Sequence, residues 1–99
     1  MQYLCLIYSD EKLMQDMSDA ERGAFTAEYG TFTREVRGSG HFVGGDALQP
    51  VATATTVRVR DGKVTTTDGP FAETREQLGG YYLIEAEDLD EALKIAARI

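Results

Sequence analysis

The chain has no tryptophan, one cysteine, one histidine and two prolines in 99 residues. Cys5 alone cannot close an internal disulfide or build a cysteine cluster for zinc. His41 is the single imidazole, so the spacing of a metal centre is missing, and no metal or cofactor is expected. Basic residues are also scarce. Ten Lys and Arg stand against 17 Asp and Glu, a net charge of −7, which excludes the basic footprint that direct nucleic-acid or anionic-membrane binding needs. No apolar run reaches 18 residues, so no transmembrane helix is expected. The amino-terminal MQYLCLIYSDEK lacks a basic n-region and meets charge at Asp10. It does not read as a secretory signal, and a cytoplasmic location is the expectation.

What remains is the composition of one small folded domain, 42% hydrophobic. Tyr3 to Tyr8 is apolar on both faces and reads as a buried central strand. Ser9 to Met17 reads as a short helix or turn. Ser18 followed by Glu21 matches a capping box. Beyond it Phe25, Tyr29, Phe32 and Val36 mark a helical stripe over about Asp19 to Arg37, weakened at Gly23 and Gly30. The helix should stop near Gly38-Ser39-Gly40. His41 to Leu48 reads as a weaker strand, bulged or twisted at its glycine pair.

Thr53 to Arg60 and Lys63 to Thr67, separated by Asp61-Gly62, carry a strong hairpin signal. Ala72 to Leu78 is polar enough for a helical turn. Tyr81 to Glu87 reads as a strand with apolar residues on both faces. A last helix is capped by Asp88 with Glu91 at the capping-box position, and its buried stripe is Leu89, Ala92, Leu93, Ala96 and Ile99. Removing the hairpin leaves βαββα, a ferredoxin-like α+β order that lacks only its closing strand. The chain reaches Ile99 in a helical pattern, and the natural domain is expected to be longer.

The run from Asp68-Gly69-Pro70-Phe71 through Glu73, Arg75 and Gly79-Gly80-Tyr81-Tyr82 to Glu85 resembles the DGPF-motif group of the YCII-related proteins. YLCLIYSDE at the amino terminus, Gly44 to Pro50 and Ala52 to Arg58 fit the same group, so the likeness spans nearly the whole chain. It implies a ferredoxin-like fold paired as a dimeric α+β barrel, with a further carboxy-terminal strand. Wider relatives imply a His–Asp pair, and some related barrels imply lyase or isomerase chemistry on small molecules. The histidine of that pair belongs on the first long helix, where this sequence has none. Of the pair, only Asp68 carries over.

Asp68 therefore has two readings. In one it bonds nearby N–H groups in a turn where Gly69 and Pro70 set the backbone and Phe71 plugs the core. In the other it is a carboxylate at a pocket rim, raised towards acid–base use by Phe71, Tyr81 and Tyr82. His41 becomes a proton carrier only if it lies beside Asp68. Tyr81 and Tyr82 point to opposite faces of their strand. Tyr82 and Tyr8 are candidate hydroxyl donors to a ligand, and Arg58 a candidate anchor for an anion. Val57 and Val59 lie on the face opposite Arg58 and Arg60.

Two helices can cover only one face of so small a sheet. The sequence thus predicts a homodimer that buries the other face against a second copy. The expected function is binding or transforming a small organic molecule near Asp68. The alternatives are a non-catalytic ligand-binding or accessory module, which the resemblance links to sigma-factor regulation, and a purely structural dimer.

Overall fold

The computed structural model describes residues 1–99. Strand β1 (Gln2–Ser9) leads through a short helix α1 (Glu11–Gln15) into the long helix α2 (Asp19–Gly38). Strand β2 (Phe42–Ala47) follows, then a 3-10 turn at Val51–Thr53, the hairpin strands β3 (Thr55–Arg60) and β4 (Lys63–Asp68), strand β5 (Gln77–Glu85) and helix α3 (Leu89–Ala96). β1, β5 and β2 form an antiparallel sheet in that order, and β3 pairs only with β4. The sheet with its helices has the α+β, ferredoxin-like form that the strand order predicts, with the hairpin inserted between β2 and β5. No helix is long and apolar enough to cross a membrane.

Local chemistry sets the element ends. The Ser18 side chain accepts from the Glu21 N–H and the Glu21 carboxylate accepts from the Ser18 N–H, closing the expected capping box. Asp88 accepts from the Glu91 N–H in the same way, but the Glu91 carboxylate reaches one residue further back, to the Glu87 N–H. Asp61 and Gly62 both take positive φ, 53° and 74°, as a tight two-residue hairpin turn requires.

One face of the sheet makes the core. Ile84, Tyr82 and Ala86 pack with Phe32 and Val36 of α2 and with Ala92 and Ile95 of α3. The Phe32 and Tyr82 rings meet edge to face at 5.1 Å, and Phe42 approaches Tyr82 at 6.3 Å from the other side. Gly45 of β2 lets the strands close here: a Cβ at that position would lie 2.7 Å from the Tyr81 carbonyl oxygen and 2.9 Å from the Tyr82 ring. The opposite face is open. Leu4, Leu6 and Tyr8 of β1 are 59%, 50% and 53% exposed, and Leu83 and Tyr81 lie across from Leu4 and Leu6 in the register.

Several expectations are corrected. β1 lies at the edge of the sheet, and β5 is the central strand. β5 starts at Gln77, so the glycine pair sits inside it, because pairing on both edges outweighs glycine's poor strand propensity. It ends at Glu85, short of Glu87. Residues 72–76 form no helical turn. The Gln77 amide donates to the Thr74 carbonyl, and Thr74 bonds the Glu76 carbonyl through its hydroxyl, so side chains take the place of a helical turn's bonds.

In α3 the buried residues are Ala92 and Ile95, while Leu89 and Leu93 are each 56% exposed. The helix is rotated so that Ile95 meets α2 and the sheet. Phe71 does not plug the core. It is 81% exposed, because the hairpin it follows stands outside the sheet.

Ile84 is fully buried at the centre of this small core. Ile84→Ala should lower the unfolding free energy by about 2–5 kcal/mol, read from urea denaturation. A loss below about 1 kcal/mol would show that Ile84 is not the keystone of the packing.

Candidate functional site

The expected site residues do not converge. Asp68 ends β4 opposite Thr55 and is exposed. His41 sits at the start of β2, where its Nδ1 lies 2.8 Å from the Glu85 carbonyl and 3.6 Å from the Glu91 carboxylate. It bridges the sheet to α3, and no hydrogen bond or ion pair joins it to Asp68. Arg58 faces outward on the hairpin opposite Thr65. Tyr8 stands on the open sheet face. Tyr81 and Tyr82 do point to opposite faces. Tyr81 donates to the Asp46 carboxylate at 3.0 Å, whereas Tyr82 is buried.

A cavity of about 540 Å³ lies between α1, the first half of α2 and the end of the sheet where β5 begins. Its origin can be read from residue types. Gly79 and Gly80 present no side chains at the sheet floor. A register shift opposite Ile7 and Tyr8 leaves Gly79 without a partner on β1, so the strand bulges beneath the helices. Gly80 is pinned between its neighbours, since a Cβ there would come 3.0 Å from the Asp46 carbonyl. Phe25 and Tyr29, one turn apart on α2, stack edge to face at 5.0 Å and form the wall above.

The polar groups of this cavity are unequally committed. The Glu11 carboxylate accepts the Val51 N–H at 2.9 Å while its backbone N–H donates to Gln77 Oε1, so it ties α1 to both the 51–53 turn and β5. Asp46 pairs with Tyr81 in the register, and its carboxylate accepts from the Tyr81 hydroxyl on the open face of the sheet, away from the helices. Thr33 donates to the Tyr29 carbonyl at 2.8 Å, so the 2.7 Å contact between the Tyr82 and Thr33 hydroxyls is one in which Tyr82 donates.

Arg22, the one basic residue of the lining, has only loose partners. Its Nη2 lies 3.3–3.5 Å from the carbonyls of Met14, Gln15 and Met17, and its Nη1 lies 3.7 Å from the exposed Asp19 carboxylate. Burial raises the Tyr29 phenol above the ordinary tyrosine range, with the neighbouring Tyr82 phenol adding to it, so Tyr29 stays neutral and able to donate at physiological pH. The lining is an apolar slot with one cation, Arg22, with Glu11 and Asp46, both already hydrogen-bonded within the protein, and with neutral hydroxyls at its edge.

The sequence points to a pocket near Asp68, whereas the cavity is lined by Glu11, Arg22 and Thr26. Phe25 and Tyr29 of the helical stripe form its wall. The available signal was the glycine pair itself: two glycines on a strand facing an aromatic helix face leave unfilled space.

Cys5 lies on the helix-facing side of β1, and burial raises its thiol above the ordinary value. It should alkylate more slowly than a peptide thiol at about pH 8.5 and recover the peptide rate on unfolding. Tyr29 gives a second pH signature. Its raised folded-state value means the unfolded chain loses its proton first. That contribution to stability is whole below the ordinary tyrosine value of about 10 and is lost as pH climbs beyond it. Tyr29→Phe should flatten the alkaline fall of the melting temperature. An unchanged alkaline limb would assign the fall to other groups.

The YCII-related domain family matches residues 1–99. An uncharacterised protein of Rhizobium meliloti (strain 1021) is 38% identical over 96 residues, spanning 97% of this chain and 77% of the relative. With its ferredoxin-like βαβ(ββ)βα order and a family match over its whole length, the chain belongs to the YCII-related domain family.

Proposed function

We propose that this protein is a homodimer that binds a small organic acid in the cavity beneath α1 and α2. The observation that carries the reading is the pairing of an unfilled 540 Å³ slot, floored by Gly79 and Gly80, with Arg22 as its single cation. The volume is in the range of small-molecule sites, which are mostly apolar with a few placed polar groups. A carboxylate would give Arg22 the bidentate partner that three long carbonyl contacts do not supply. An aromatic or branched apolar body would lie against Phe25 and Tyr29. The reading is one of binding. The exposed Asp68 and the bridging His41 lie outside the cavity lining and receive no catalytic role in it.

The dimer is supported by the open sheet face. Leu4, Leu6, Tyr8 and Val43 expose between 45% and 59% of their surface, apolar area that a second copy would take out of water. A second copy related by a two-fold axis covers the same residues on both chains at once.

Thermal-shift screening against small aromatic and aliphatic carboxylic acids tests the ligand. An acid present at ten times its Kd should add about 1.4 kcal/mol, or about 6–11 °C for a domain of this size. Arg22→Gln should weaken that acid at least about tenfold, the usual scale of a lost charge-assisted bond, and leave binding of its neutral amide analogue unchanged. No stabilisation by any acid, or equal loss for acid and amide, would sink the proposal.

A further inference from the structure

We infer that the β3–β4 hairpin is an arm that docks on the second copy of the chain, laying its valine face against the partner beside the sheet-to-sheet contact. The inference rests on the dimer just proposed. It follows from three independent features of residues 55–68.

The first is that the hairpin has no support of its own. Its strands pair only with each other. Of their twelve residues all but Thr56 are exposed. An isolated two-stranded hairpin is marginal at best in water. The arm also stretches the molecule. The radius of gyration is 16.3 Å, against about 13 Å for a compact chain of this length.

The second is that its apolar residues share one face. The register sets Val59 across from Val64 and Val57 across from Thr66, so the three valines lie together, 57–67% exposed. Phe71, just beyond the arm's base, adds a further exposed ring. On a surface hairpin with no partner, the alternation of the strands would put those valines to water for no gain.

The third is charge. Arg58, Arg60 and Lys63 occupy the opposite face. Residues 55–68 hold three of the ten basic residues and only two of the 17 acidic ones. The arm is net positive on a chain of net charge −7. Two such chains repel when they approach, and an arm of net charge +1, with its basic side chains turned away from the valine face, reaches across without adding to that repulsion. A second copy is thus the occupant that both the valines and the charge fit. Two-fold symmetry then seats both arms by the same contact.

The test is Val57→Asp/Val59→Asp, two positions that a single copy leaves open, so the fold of one chain is preserved. The dimer dissociation constant from sedimentation velocity should rise at least 100-fold, with the far-ultraviolet circular dichroism unchanged. In parallel, a benzophenone-bearing amino acid in place of Val64 should, after irradiation of mixed ¹⁴N and ¹⁵N chains, give cross-links between differently labelled copies. A wild-type chain that sediments as a monomer at micromolar concentration overturns the dimer and the arm together. A dimer that survives the double substitution, or cross-links confined to single chains, overturns the arm alone and leaves the sheet-face dimer standing.

Discussion

β5 hydrogen-bonds along both of its edges, to β1 on one side and to β2 on the other. Ile84 and Tyr82 of the core and the glycines of the cavity floor all belong to this one strand. Its register places them. Tyr3 and Phe42 flank Ile84, Cys5 and Gly45 flank Tyr82, and Ile7 and Ala47 flank Gly80. Moving β5 by one residue would send Ile84 and Tyr82 to the open face and bring Leu83 and Tyr81 inward. The aromatic cluster of Phe32, Phe42 and Tyr82 guards against that slip, because only one register brings the three rings to edge-to-face contact.

Core and cavity are thus two ends of one surface. Towards the carboxy end of β5 the side chains are large and meet α2 and α3. Towards its start they shrink to glycine and the helices stand off. α1 and the 51–53 turn frame the space that results, and Glu11 joins them through bonds to Val51 and Gln77. At the cavity edge the Tyr82 hydroxyl is held by Thr33, while the Asp46 carboxylate is bonded by Tyr81 on the open face. Arg22 is the charged group left with weak partners, and for that reason it is the one that a ligand would engage.

Much of this was legible in the sequence. Ser18 with Glu21, and Asp61 with Gly62, act within a few residues of themselves, so local chemistry alone placed α2 and the hairpin turn. Tyr81 and Tyr82 had to point apart wherever the strand lay. What could not be read depends on contacts between distant segments. The start of β5 at Gln77 is set by pairing with β1 and β2, and the rotation of α3 that buries Ile95 rather than Leu93 is set by α2. The cavity was hidden for the same reason. It is built by Arg22, Phe25 and Tyr29 lying over Gly79 and Gly80, fifty or more positions along the chain. Asp68 belongs to the family-like run, but it ends a strand that never joins the main sheet.

That separation of the hairpin has a consequence for how the protein can change over time. Residues 55–68 contribute nothing to the buried cluster that fixes β5, α2 and α3. Substitutions there leave the core and the cavity floor untouched. Apart from its valine face, the arm is a part of the molecule that mutation can change one side chain at a time while the body that carries it keeps its shape.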